Sequence, residues 1–272
     1  MIDFQDFYNI LITNGAKCFF HLDKTKITPI IDGMKVLCKT LGGSNAYGLN
    51  TPESDIDFRG VVCNTDPATI LGLSRFDVIQ KQEKEDEVYY EVRKFFELLK
   101  DGNTGALEVL FCDRDKFIEF APEFEPVYAD RMSFVDTDKM FKCLRGYMQS
   151  ELRLANGERT GQLGGKRKAQ LEKYGFSPKN FVQLFRLAFC GVTLFQDGYF
   201  PVNVMKECPV LGAELFKLKT QPFLFTKEQL NKNVADAEAK LVAAYETRKF
   251  NYTFDTNKAN KLLTALYLPH LK

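Results

Sequence analysis

The chain has no tryptophan and only two histidines, His21 and His270, in 272 residues. Two distant histidines that are not spaced with cysteines supply neither a zinc site nor a Ser-His-Asp triad. The cysteines, at positions 18, 38, 63, 112, 143, 190 and 208, include no C-x-x-C pair. Odd in number and dispersed, they read as reduced thiols of a cytoplasmic protein, not as a disulfide frame. Neither a Gly-x-x-x-x-Gly-Lys-Ser/Thr loop nor a Gly-x-Gly-x-x-Gly fingerprint occurs, which removes the Walker and dinucleotide-binding readings. The most apolar later run, 181–195, is interrupted by Gln183 and Arg186 and is too short to span a bilayer. The opening residues carry no basic region ahead of an apolar core, so no signal peptide is predicted. An excess of charge is also missing: Lys and Arg total 37 against 36 Asp and Glu, a net charge of +1. That balance excludes a globally basic nucleic-acid binder and leaves polyanion contact to local patches.

What is present is an ordinary globular composition, 45% hydrophobic, with 25 phenylalanines that read as core. They do not interleave with basic residues into a platform of the kind that binds single strands. Short apolar runs alternate with turn signals in the first third, predicting strands over Met34–Leu41, 57–63 and 88–92. The period changes at Val92, where Val92, Phe95, Phe96 and Leu99 follow i, i+3, i+4, i+7 and predict a helix that Gly102 stops. Thr104 is the expected cap of a second short helix reaching Phe111. From about residue 133 the pattern is helical, with Met140, Leu144, Tyr147 and Met148 forming one stripe. Ser177-Pro178 reads as the start of a helix ending near Gly198, Thr226 and Gln229 as a capping box, and 257–267 as a last helix. The predicted organisation is α/β (α+β): a catalytic domain over 1–130 followed by a helical domain over 131–272.

The segment 41–60, Leu-Gly-Gly-Ser-Asn-Ala-Tyr-Gly-Leu-Asn-Thr-Pro-Glu-Ser-Asp-Ile-Asp-Phe-Arg-Gly, places a Gly43-Ser44 turn ahead of two acids, Asp55 and Asp57, spaced i, i+2. Such a turn, after a buried strand, offers backbone N–H groups and a hydroxyl to phosphate oxygens. If 55–58 is a strand, the two carboxylates share one face roughly 6–7 Å apart, and Ile56 and Phe58 point into the core. Two divalent ions about 3.5–4 Å apart suit such a pair. Each feature alone is as readily a surface turn or an Asx-turn; their order and spacing together point to a phosphate site.

These residues resemble the predicted nucleotidyltransferases of the DNA polymerase β superfamily, in the RNA-repair-pathway branch. The resemblance rests on Gly43-Ser44, Tyr47-Gly48 and 54–60, and continues through Asp86 to Phe96, Gly102-Asn103 with 107–111, Gly165 to Lys168, Tyr174 to Phe176, and Lys179 to Arg186. Thr104 stands where the family has proline, and Gln183 where it has histidine, which removes a proton-transfer group at that position. The resemblance covers roughly residues 35–205. It implies a polymerase-β-type core with a mixed sheet, a helical C-terminal part, two Mg²⁺ (or Mn²⁺) ions, an NTP substrate and an RNA or tRNA end as acceptor.

Asp55 and Asp57 are the expected metal ligands and catalytic acids. For the third acid, family correspondence favours Asp86; alternation puts Asp86, Val88 and Tyr90 on one strand face and Glu87, Tyr89 and Glu91 on the more polar other, so Glu91 stands as the rival. Gly43, Ser44, Arg59, Lys179 and Arg186 are the expected nucleotide contacts. Lys179, Gln183 and Arg186 fall at i, i+4, i+7 on one helical face, which is either a phosphate clamp or a solvated stripe. Lys166, Arg167 and Lys168 are candidate acceptor contacts. Rival readings of the same residues are a nucleotidyltransferase acting on a protein or small molecule, and a nucleotide-binding regulator or toxin–antitoxin component without turnover.

Overall fold

The near-continuous apolar run after Gly33 forms the strand β1 (Met34–Leu41), buried along most of its length. In the computed structural model, residues 33–73, 76–82, 86–158 and 165–271 are described; His21 and Cys18 lie outside them. A five-residue helix, α1 (Gly43–Tyr47), leads through a loop into β2 (Asp57–Asn64). Then follow α2 (Pro67–Leu71), capped by Asp66, and the hairpin-like pair β3 (Val78–Gln82) and β4 (Asp86–Glu91). Next come α3 (Val92–Lys100), α4 (Thr104–Leu110), the edge strand β5 (Phe117–Phe120) and α5 (Glu125–Ala129). Helices fill the rest: α6 (Thr137–Ala155), α7 (Gly165–Tyr174), α8 (Pro178–Asp197), α9 (Val204–Glu207), α10 (Pro209–Thr220), α11 (Lys227–Glu246) and α12 (Thr256–Tyr267).

The sheet has the order β3-β4-β2-β1-β5. It is mixed: β2 and β4 run parallel, and every other pair is antiparallel. The parallel pair needs a crossover, and β3 with its lead-in supplies it. The polymerase-β-type architecture inferred from resemblance, a mixed sheet followed by helices, is the one observed. Strands β3 and β5 were not legible in the sequence, because both are short edge strands whose pairing comes from β4 and β1.

One face of the sheet packs against helices and the other carries a small cluster of Met34, Val62 and Tyr89. The helix-side core is continuous from Leu37 in β1 through Phe95 in α3 and Leu144 in α6 to Tyr267 in α12. At the centre of the helical part α8 lies between α6 and α11. A Cβ on Gly191 would sit 2.4 Å from Leu241 Cδ1 and 2.7 Å from Leu144 Cδ1, so only hydrogen fits where the three helices meet.

Two helix starts differ from expectation. Asn103, not Thr104, caps α4 by accepting the Ala106 N–H, and Thr104 is the first helical residue. Ser177 stands at the N-cap of α8, but its hydroxyl donates to Asn180 Oδ1 instead of accepting a backbone N–H. Thr226 and Gln229 form the expected reciprocal capping box. The described cysteines, Cys38, Cys63, Cys112, Cys143, Cys190 and Cys208, are unpaired. Among the described residues no helix is long and apolar enough to cross a membrane.

Candidate active site

Parallel pairing sets the acids against each other. In the β2–β4 register Asp57 is the direct partner of Asp86, and Arg59 is the partner of Val88. Adjacent strands lie about 4.8 Å apart, so the two carboxylates leave neighbouring backbones on the same face. Alternation puts Asp57, Arg59 and Val61 with Asp86, Val88 and Tyr90 on the helix side, as Val61 and Tyr90 in the main core attest. Phe58 and Glu87 take the other face, where the buried Lys39 ammonium donates to Glu87 at 2.7 Å and lies 4.2 Å from the Phe58 ring centroid.

Asp55 does not share that strand. β2 begins at Asp57, and Ile56 is 43% exposed instead of entering the core. The position of Asp55 is therefore set by the loop between α1 and β2, and not by alternation. Asn45 Nδ2 donates to the Asp55 carbonyl at 3.2 Å, and the Thr51 N–H donates to Ser54 Oγ at 2.9 Å. From α10 the Lys219 ammonium donates to the Leu49 carbonyl at 2.7 Å and to Ser54 Oγ at 3.0 Å.

The Gly42-Gly43 turn closes over Asp57. The Gly42 N–H donates to the Asp57 carbonyl at 2.8 Å. Gly43 has φ +54, and a Cβ there would stand 2.2 Å from Asp57 Oδ2. The carboxylate thus rests against a bare α-carbon, with half-buried Ser44 next along the chain.

Electrostatics tie these groups together. Burial pushes the Asp57 carboxyl above its ordinary value; Lys179 opposes this, Asp86 adds to it, Arg59 opposes and Asp55 adds. Two further acids and two cations therefore act on Asp57. Lys179 is exposed in the first turn of α8. Burial and the charge of Lys179 lower the Lys219 ammonium below its ordinary value.

Arg186 is placed differently from the expected phosphate clamp. It is 0% exposed, and its guanidinium donates from Nη2 to Glu108 Oε1, from Nε to Gln183 Oε1 at 3.2 Å, and lies 3.7 Å from the Tyr47 ring centroid. Tyr47 donates to Glu108 Oε2 at 2.8 Å. A buried guanidinium needs this partner, so Arg186 turns inward to Glu108 instead of joining Lys179 at the surface. Arg59 is mostly buried too: it donates from Nη1 to the Tyr90 hydroxyl at 3.2 Å, and its Nε is buried without a hydrogen-bond partner among the described residues.

Glu91, the rival third acid, is a structural cap. It accepts the Arg93 N–H at the start of α3 at 2.9 Å and the Tyr267 hydroxyl at 2.6 Å, five residues along β4 from Asp86. Asp86 by contrast is exposed, with Gln80 Nε2 3.4 Å from its Oδ1.

Among the described residues no group of three or more His, Cys, Asp or Glu side chains is gathered closely enough to hold a metal ion. Asp55, Asp57 and Asp86 nonetheless offer an oxygen-only donor set, the chemistry suited to Mg²⁺ or Mn²⁺. Lys166 and Arg167 lie on α7, but their side chains are outside the described residues; Lys168 is exposed. Lys219 was not singled out from sequence, Asn45 only marked the residue after the turn, and Tyr47 and Glu108 entered only among the residues that carry the resemblance, without a role of their own. The signal for Glu108 was an acid set among Ala106, Leu107, Val109 and Leu110, since a carboxylate in an apolar helix must find a buried partner.

A mixed sheet with facing acids on parallel strands, a glycine turn against one of them and a lysine reaching over from a following helix define a nucleotidyltransferase-like protein of the polymerase β type. The chain belongs to the RNA repair pathway DNA polymerase beta family, whose model matches residues 22–262. It is 27% identical over 128 residues to an uncharacterized 38.9 kDa protein of the nrdC-mobD intergenic region of Enterobacteria phage T4. That match spans 43% of this chain and 38% of the phage protein. A nucleotidyltransferase-like protein from Exiguobacterium sibiricum 255-15 is similar over 85% of this chain and 73% of its own, at 12% identity and a TM-score of 0.31.

Proposed function

We propose that the protein is a metal-dependent nucleotidyltransferase that moves a nucleoside monophosphate from an NTP to a hydroxyl acceptor, releasing pyrophosphate. The observation that carries this reading is the register pairing of Asp57 with Asp86, with the Asp57 carboxylate seated against Gly43. On this reading Asp55, Asp57 and Asp86 hold two divalent ions, Mg²⁺ or Mn²⁺. Bound there, such ions would neutralise phosphate charge and lower the pKa of the attacking hydroxyl. The chain's own groups orient the substrate. The Gly43 amide and Ser44 hydroxyl face the pyrophosphate end, and Lys179 supplies a point charge to the same oxygens. An oxygen of Asp86 accepts the acceptor's proton. Arg59, on the same strand face as Asp57, ties β2 to β4 through the Tyr90 hydroxyl.

Residues 1–130 then form the catalytic part and 131–272 the helical part that completes the cleft, since Lys179 and Lys219 both come from helices of the second. An RNA or tRNA end is the acceptor on this reading, supported by family membership and by exposed cations at Lys168 and Lys179. The unpaired thiols suit action in a reducing cytoplasm.

Incubation with α-labelled NTPs, total RNA, total protein and Mg²⁺ tests the proposal. Label in RNA from the wild type, and at least about 10²-fold less from Asp57→Asn, is the expected result. Label confined to protein would overturn the RNA assignment. Equal transfer by both proteins would exclude the acids as catalytic ligands, and binding of NTP by both without transfer would establish a regulator.

A further inference from the structure

Glu108 is a buried carboxylate that the mechanism above leaves unused, and its surroundings are specific. It is buried in α4, and each of its oxygens holds a different element. Oε1 accepts from Arg186 of α8, while Oε2 accepts from the hydroxyl of Tyr47, the last residue of α1. The Arg186 guanidinium also lies over the Tyr47 ring, closing a triangle of contacts. Tyr47 stands four residues after Gly43 on a short helix, so a shift of its ring moves the turn that rests on Asp57. Arg186 stands seven residues after Lys179 on a rigid helix, about two turns away. A shift of Arg186 therefore moves Lys179.

We propose that Glu108 is a positioning residue whose divided carboxylate holds the Gly43-Ser44 turn and the Lys179 helix at one separation, so that both act on the same triphosphate. The kinetic part rests on the nucleotidyltransferase reading; the mechanical part does not. A buried ion pair alone would need one oxygen. Here the second oxygen is spent on Tyr47, which links the two halves of the site through a single side chain. Arg59, on β2 two residues beyond Asp57, donates to Tyr90 and its guanidinium lies in the same interior. The network thus underlies the turn, the acid strand and the lysine helix together.

Glu108→Gln tests the idea, because the amide keeps the shape but its NH₂ cannot accept from Tyr47 or Arg186. One of the two links is lost. In the full-length protein the expected result is an NTP KM raised about tenfold with kcat changed less than about threefold. Hydrogen exchange, read without nucleotide, should quicken about tenfold in α1, in the first turn of α8, or in both, while the β1–β2 pairing and α11 keep their rates. Tyr47→Phe cuts only the α1 arm, and exchange should then quicken in α1 alone with KM raised about threefold. Unchanged KM with activity lost in proportion to unfolded protein would overturn the proposal, as would loosening confined to α4 or spread uniformly. Should Glu108→Gln fail to fold, Tyr47→Phe decides by the same measures, and unaltered exchange in α1 overturns the proposal. If the wild type transfers nothing, the functional reading fails by itself, and the exchange pattern alone decides the coupling.

Discussion

At Gly43 a single hydrogen atom lets the turn lie against the Asp57 carboxylate. A methyl group there would lie 2.2 Å from Asp57 Oδ2 and would have to adopt φ +54. Gly43→Ala is expected to lower nucleotide transfer by about 10²-fold, since a displacement of about 1 Å at reacting groups costs that much. The fold should survive with a loss of about 1–3 kcal/mol, measurable by chemical denaturation. Asp57 carries the opposite balance of stability against function. Its carboxyl is raised above the ordinary value by burial, so the folded protein holds that proton more tightly than the unfolded chain does. The resulting stability is complete below the unfolded carboxylate value of about 3.9 and is lost as pH rises through the folded value. At neutral pH, without divalent ions, Asp57→Asn should therefore melt above the wild type, with the gap closing as pH falls toward 4. A lower midpoint for the variant at neutral pH would contradict this assignment. Asp55 and Asp57 were picked out as candidates by type and spacing, although Asp55 lies off the strand. Glu108 and Tyr47 were not, because nothing local tells a buried carboxylate which distant guanidinium it meets.

Among the elements, those with a strong local signal were readable. The stripe of Val92, Phe95, Phe96 and Leu99 predicted α3, and all four side chains are buried. The α11 capping box formed as its spacing required. The strand candidate 57–63 starts where β2 does, at Asp57, but the conditional strand over 55–58 does not form, since Asp55 and Ile56 belong to a loop held by Asn45 and Lys219 from outside the strand. Face assignment along α8 failed at one position. Helical periodicity puts Arg186 beside Lys179, but a helix enclosed by α6 and α11 has little solvent face that far from its end, and Arg186 pairs inward. The same enclosure makes Gly191 a packing residue. Gly191→Ala brings a methyl within 2.4 Å of Leu241 Cδ1, and the strain should exceed the gain in helix propensity of about 1 kcal/mol. A fall in thermal midpoint of a few degrees is expected, at about 2–4 °C per kcal/mol for a chain of this size. A rise would show that α8 can move outward freely.

At the scale of the whole molecule, balanced charge leaves only local cations to meet a polyanion. For the proposed RNA acceptor, the dependence of binding on salt should accordingly be shallow, with a log–log slope no steeper than about −3, as three or four phosphate contacts would give. Divalent ions test the acid face as a unit. Mg²⁺ at about 100 times its Kd contributes roughly 2.7 kcal/mol, so the wild-type midpoint should rise by about 5–10 °C and that of Asp57→Asn by much less. Equal rises in both proteins would place the ion elsewhere. Local chemistry carried in the chain was sufficient to read the helix-rich second half and the strands β1 and β2 and to put forward Asp55 and Asp57 as candidates, because turn preference, side-chain alternation and charge act over a few residues. Long-range packing alone determined that Asp86 faces Asp57, that Glu91 meets the Tyr267 hydroxyl and that Arg186 is enclosed. Each depends on which strand pairs with which and on where a buried charge finds its counterpart, contacts between residues separated by tens of positions that no local pattern encodes.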